Sequence, residues 1–200
     1  MQHDLASLVP ALLQSSSAAA IVELCGSRAS GTAGRYSDWD FRVATHDFAV
    51  FASELPGLVQ GLDPLVEQWD RLSDEACFML IVRGPAKVDL IFPDVPHDHE
   101  PPWVVDSSTL SGIDEHFWDW VLWLTSKVDA GKESLVEAEL ITMHEHLLAP
   151  LGIPAPSVSL RDAVKRYIAA RDSWARRFGV VVDRRVEQEV LPIVEAVCRG

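Results

Sequence analysis

Residues 20–45 read AIVELCGSRASGTAGRYSDWDFRVAT, and the order of elements in that stretch decides the architecture. The apolar run from Ala20 to Cys25, broken only by Glu23, has the length and composition of a short strand. It leads into Gly26-Ser27, a turn signal, and then into small residues that include Gly31 and Gly34. Next, Trp39, Phe41 and Val43 alternate with Asp38, Asp40 and Arg42. A period of two describes a second strand with one apolar face and one acidic face.

Working outward, Leu5, Leu8, Val9, Leu12 and Leu13 recur at helical spacing and predict an amphipathic helix over residues 3–15. A helix is expected over 47–61, disturbed at Pro56-Gly57, followed by an edge strand from Leu65 to Trp69. Ala76 to Val82 and Lys87 to Phe92 read as strands joined by a hairpin at Arg83-Gly84-Pro85-Ala86. Pro93, Pro96, Pro101 and Pro102 then mark a linker or a long crossover. Beyond them, residues 114–149 and 160–197 show helical periodicity, separated by the breakers Pro150, Gly152, Pro154 and Pro156. Strands first and helices afterwards predict an α+β domain over 1–100 and an all-helical domain over 101–200.

Three features of the first half carry chemistry together. They are the strand-to-turn junction Gly26-Ser27 with Arg28 after it, the pair Asp38 and Asp40, and Asp89 within the strand Lys87-Val88-Asp89-Leu90-Ile91-Phe92. Side chains two apart on a strand share a face, so Asp38 and Asp40 point the same way. Adjacent carboxylates repel, and a divalent cation is the natural compensation; hard oxygen ligands suit magnesium. Two metals held by three carboxylates serve in-line displacement at phosphorus, one activating the attacking hydroxyl and one stabilising the leaving pyrophosphate. Gly26 permits close backbone approach, while the Ser27 hydroxyl and the N–H groups at a helix start can hold the β and γ phosphates. Asp-x-Asp alone is an ordinary polar strand face; the upstream turn and the downstream acid give it meaning.

Gly26-Ser27-Arg28 through Ser37-Asp38-Trp39-Asp40, with ten residues between Ser27 and Asp38, resembles the nucleotidyltransferase family related to DNA polymerase β. Within it, the Gly-Ser-Arg-Ala start and the Ser-Asp-Trp-Asp end look most like the aminoglycoside and streptomycin adenylyltransferases and their bacterial relatives. The resemblance implies a mixed-sheet nucleotidyltransferase core with flanking helices, two Mg2+ ions, and ATP as co-substrate bound at Gly26, Ser27 and Arg28. Asp38 and Asp40 match the family's metal-binding carboxylates, and Asp89 the third, which in some antibiotic-modifying relatives is a glutamate acting as general base. The helical half would select the acceptor.

Charge and cysteine usage narrow the partners. The formal net charge of −13 argues against nonspecific binding to nucleic acid, which needs a basic footprint. Residues 96–160 hold eleven acids and two bases, and 161–200 hold six acids and nine bases. The middle of the chain therefore suits a cationic acceptor, or else is a solvated acidic helix exterior carrying Asp114, Glu115, Asp119, Glu133, Glu137, Glu139 and Glu145. Lys127 and Lys132 stand out in that tract as residues that could reach a triphosphate. Cys25, Cys77 and Cys198 form no disulfide framework, the N-terminus lacks a basic signal segment, and no apolar run spans a bilayer. A cytoplasmic protein is expected.

The remaining signals have plainer readings. His97, Asp98, His99 and Glu100 sit in a proline-rich stretch with no second ligand pair, so a solvated loop is favoured over zinc. His144 and His146 are two apart on a helix and do not share a face, whereas Trp118, Trp120 and Trp123 read as helical core. The leading expectation is transfer of AMP to a hydroxyl of a small, amino-bearing acceptor. Its rivals are a nucleotidyltransferase that modifies a protein partner, as antitoxin-type relatives do, and a nucleotide-binding regulatory module without turnover.

Overall fold

The computed structural model describes residues 4–18 and 20–199. It divides into two compact units, residues 1–100 and 101–200. The first unit runs α1 (Leu5–Leu13), β1 (Ala20–Leu24), α2 (Gly26–Ala29), β2 (Trp39–Thr45), α3 (Phe48–Val59), β3 (Pro64–Trp69), β4 (Glu75–Val82) and β5 (Ala86–Pro96). Its five strands form one mixed sheet in the order β1-β2-β5-β4-β3. The central pair β2/β5 is parallel and the other three pairs are antiparallel.

The period of two in β2 sorts its residues as the sequence predicts. Phe41 and Val43 are buried with Val88, Leu90 and Phe92 of β5 and Phe78 and Leu80 of β4, under Phe51, Leu55 and Val59 of α3 and Leu5, Val9 and Leu13 of α1. Residues 51, 55 and 59 are four apart, one stripe of a helix, and all three are fully buried. That stripe carries α3 unbroken through Pro56 to Val59, where the sequence suggested a disturbance. Asp47 caps its start by accepting a hydrogen bond from the Val50 N–H at 3.1 Å.

A second difference concerns Pro93 and Pro96. They lie within β5 rather than in a linker, since β5 continues to Pro96, which pairs with Glu75 after an irregularity at Glu75/Ala76. Pairing of β5 with β2 ends at Ile91. Beyond that point one side of β5 needs no ladder donors, and a proline there removes nothing the sheet requires.

The second unit is helical: α4 (Leu110–Asp129), α5 (Glu133–Met143) continued by a wide turn at 144–148, α6 (Leu160–Phe178) and α7 (Arg185–Val197). The stretch expected over 160–197 is divided at Gly179, which ends α6 at φ 67°, and its neighbour Val180 donates back to the Ala175 carbonyl at 3.0 Å. A positive φ there is a glycine stop signal. Among the described residues, no helix is long and apolar enough to cross a membrane.

Trp118 is fully buried and Trp120 nearly so, its indole N–H donating to Glu139 at 3.2 Å. Glu133, Glu137 and Glu145 are exposed, but Asp114 and Asp119 are not part of an acidic exterior: both are buried. Asp114 accepts hydrogen bonds from the Tyr167 hydroxyl at 2.8 Å and from Arg171 at 2.9 Å. Arg171, wholly buried on α6, also contacts Asp172 at 2.9 Å and Glu187 of α7 at 2.6 Å. Burial pushes the Asp114 carboxyl up, against the pull of Arg171. Burial also opposes the Arg171 charge, yet Asp114, Asp172 and Glu187 together hold its pKa above the usual value. One guanidinium thus joins α4, α6 and α7.

Removing one partner of such a group leaves the others buried and uncompensated. Arg171→Leu is expected to lower stability by about 3–5 kcal/mol in a urea melt followed by tryptophan fluorescence. A loss below about 1 kcal/mol, the range of exposed pairs, would show that the network is not structural.

Candidate active site

Because Phe41 and Val43 of β2 and Val88, Leu90 and Phe92 of β5 face the helices, the intervening residues face the opposite side of the sheet. The register of the parallel pair sets Asp40 directly opposite Asp89. Neighbouring positions on adjacent strands lie side by side, so two acids from distant parts of the chain meet on one face. Asp38 immediately precedes β2, two residues from Asp40, and is only 7% exposed.

The Gly26 turn belongs to the same place. β1 ends at Leu24, and the Cys25 N–H donates to the Asp40 carbonyl at 2.8 Å, with the Cys25 thiol 3.3 Å from the same oxygen. Burial, and then the Asp40 charge, push the Cys25 thiol up. Gly26 adopts φ 63° and opens α2, a single turn. A Cβ at position 26 would fall 2.2 Å from Asp40 Oδ2. Hence the absence of a side chain, rather than flexibility alone, is what position 26 supplies. Ser27 is half-buried beside it, and its carbonyl accepts from the Thr32 N–H at 2.9 Å.

Arg28 acts on the approach to β2. Its Nε donates to the carbonyls of Asp38 at 3.0 Å and Ser37 at 3.2 Å, and Nη2 donates to Ser37 at 2.5 Å. The guanidinium lies 4.0 Å over the Trp39 ring. Burial lowers its pKa, while Asp38 and Asp40 pull the other way. These bonds make Arg28 a clamp on the backbone that carries Asp38.

Asp89 is held by its neighbour on β5, Lys87. Lys87 Nζ donates to Asp89 Oδ1 at 2.7 Å, and the side chains are 7% and 14% exposed. Lys87 and Asp89 are two apart on β5 and share a face, and that spacing was the available signal. An ammonium at a buried strand position needs a carboxylate nearby. The carboxylates are therefore not gathered into a ready-made cage: among the described residues, no group of three His, Cys, Asp or Glu stands where it could hold one ion. An open cleft of about 400 Å3 reaches Asp89, lined also by Ser73, Asp74, Glu75, Cys77 and Ile91.

Of the other candidates, the 97–100 group borders that cleft through Ser73 and Asp74. His97 Nδ1 is 3.1 Å from the Ser73 carbonyl, His99 Nε2 is 3.0 Å from Asp74, and Glu100 pairs with Arg71 at 2.7 Å. These contacts fasten the loop before residue 100 to the turn between β3 and β4. In the helical unit, His144 Nε2 is 2.9 Å from the Ile153 carbonyl, and His146 is buried. Lys127 lies 4.7 Å over the half-buried Trp123 ring, and Lys132 is exposed at the start of α5.

No family model matches this chain, and no curated protein matches it. Among solved structures it is similar to the polymerase core of TRAMP, an RNA surveillance complex, at a TM-score of 0.40 and 9% identity. That likeness covers 87% of this chain, which spans 57% of the polymerase-core chain. It is also similar to an aminoglycoside 6-adenyltransferase from Bacillus subtilis, at a TM-score of 0.35 and 9% identity over 96% of this chain and 97% of that one.

The contact between Gly26 and Asp40 is open to test by stability alone. Alanine at a positive φ costs roughly 1–2 kcal/mol, and here its methyl also meets the carboxylate. Gly26→Ala and Asp40→Ala are expected to be non-additive in urea melts by at least about 0.5 kcal/mol, because the second change removes the group the first one strikes. Strict additivity would contradict the contact.

Proposed function

We propose that this chain is a magnesium-dependent nucleotidyltransferase that moves AMP from ATP to a hydroxyl of a small acceptor and releases pyrophosphate. The observation that carries the proposal is the seat of Asp40, whose carboxylate fills the space a side chain at Gly26 would take, directly opposite Asp89. This arrangement joins the turn suited to phosphates and the acids suited to a metal at one point of the sheet.

The donor set fits magnesium. It consists of hard carboxylate oxygens, and Asp40 packs its Oδ2 against Gly26 because position 26 carries no side chain. Asp38 and Asp40 would hold the ions, two in the full reading, with Asp89 as the third carboxylate. Bound there, magnesium supplies charge neutralisation at the triphosphate and a lowered pKa at the acceptor hydroxyl.

The chain's own residues do the rest. Gly26 and Ser27 receive the phosphates, while Arg28 keeps the Asp38 backbone in place through its carbonyl contacts. Asp89 either completes the ligand set or takes the proton of the acceptor hydroxyl. The acceptor oxygen then bonds to the α-phosphorus, the bond from that phosphorus to the β-phosphate bridge breaks, and pyrophosphate carries away the electron pair. An acceptor that bears amino groups suits the acidic balance of the chain as a whole. The formal net charge of −13 speaks for a small acceptor rather than a nucleic acid.

The test is acceptor-dependent pyrophosphate release from ATP and magnesium across a panel of hydroxylated and amino-bearing small molecules. Loss of several kcal/mol of charge stabilisation in Asp38→Asn or Asp40→Ala is expected to slow release by on the order of a thousandfold. Full activity in Asp40→Ala would defeat the assignment. Silence across the panel, with ATP-derived label appearing in a protein band instead, would move the acceptor to a protein.

A further inference from the structure

In a chain of net charge −13 the C-terminal segment is the exception, since residues 161–200 hold six acids and nine bases. Part of that excess borders a groove of about 450 Å3 between α6 and α7. Its floor is apolar. Val164 and Ile168 are four apart on α6, and Leu191 and Val194 are three apart on α7, so each helix turns one stripe into the groove. Val164 and Val194 are buried, while Ile168 and Leu191 are only half-buried. Arg161, Lys165 and Arg199 stand on the rim with one acid, Glu195, among the described residues. The Arg161 guanidinium is fixed there by donating to the Cys198 carbonyl at 3.1 Å. The same unit carries the opposite kind of surface. Glu133, Glu137 and Ile141 are four apart on α5 and all exposed, with Leu135 and Ala138 exposed beside them. Ile141 is 49% exposed and Leu135 37%, which is apolar area spent on water. An apolar surface with an acidic border complements an apolar floor with a basic rim.

We propose that the α6–α7 groove receives α5 of a second copy of this chain. Ile141 and Leu135 then cover the apolar floor, and Glu133 and Glu137 meet Arg161 and Lys165. Two observations select a second copy as the occupant. Chains of net charge −13 repel one another over most of their surface, so attraction between copies is confined to places where bases meet acids. The far side of α5 is buried through Val136, Leu140 and Met143, which fixes its exposed side outward, toward another molecule. Both halves of the contact lie in the helical unit, and the inference is independent of the chemistry proposed at β2 and β5.

Sedimentation equilibrium of the full chain over about 1–300 µM reads this contact, and wild type is expected to associate reversibly. Lys165→Glu in the groove and Glu137→Lys on α5 change exposed side chains, and circular dichroism confirms that both variants fold. Each alone is expected to weaken association at least about tenfold, because it sets like charges face to face. Mixed in equal amounts, the two variants are expected to associate within about threefold of wild type, since each supplies the charge the other lacks. A local structural effect of either substitution would not be repaired by mixing. Ile141→Ser keeps every charge and is expected to weaken association at least about threefold through lost apolar burial. Association that survives both charge reversals, or that does not return on mixing, places the contact elsewhere and overturns the proposal. A wild-type chain that stays monomeric at about 300 µM also overturns it. Lys165-dependent binding of dodecanoate by that monomer would give the groove to an amphipathic anion instead.

Discussion

The parallel pairing of β2 with β5 is the contact on which the rest of the first unit depends. It sets Phe41 beside Leu90 on the side covered by helices and Asp40 beside Asp89 on the other. Side chains alternate along both strands, so a slip of one residue would carry the acids into the core and the aromatics out of it. The apolar face fixes the register, and the register then brings together two carboxylates that repel each other. Stability and site geometry are consequences of one alignment.

Every neighbour of that acidic pair relieves some part of its strain. Lys87 places an ammonium on Asp89, Gly26 yields its side-chain space to Asp40, and Arg28 fastens the backbone at Ser37 and Asp38 while stacking on Trp39. Apolar residues in place of the acids would spare the sheet both their repulsion and the cost of burying charge. The helical unit solves a related problem in the opposite way: a single buried arginine gathers Asp114, Asp172 and Glu187, and there the charges serve to join helices.

Much of this was legible in the residues. The alternation of Trp39, Phe41 and Val43 with acids marked the face of β2, and the spacing of Gly26, Asp38, Asp40 and Asp89 named candidates of which the structure sets Gly26 against Asp40 and Asp40 opposite Asp89. Three features were not legible, for physical reasons. Pro93 and Pro96 read as breakers because a sequence does not say which side of a strand will lack a neighbour. Asp114 read as one more exterior acid because its partner Arg171 lies 57 residues away on another helix. Lys87 was in view two residues from Asp89, but a lysine in a strand is so often a solvated one that only its burial marks it as part of the cluster.

The central claim is that the face of β2 and β5 carrying Asp38, Asp40 and Asp89 receives a metal–nucleotide complex. Crystals grown with manganese and a non-hydrolysable ATP analogue test it most directly, since manganese can be located by its anomalous scattering. The account expects an anomalous peak at the carboxylates of Asp38 and Asp40, with the triphosphate beside Gly26 and Ser27. Manganese and nucleotide bound away from that face, or nucleotide bound there without any ion at Asp38 and Asp40, would contradict it.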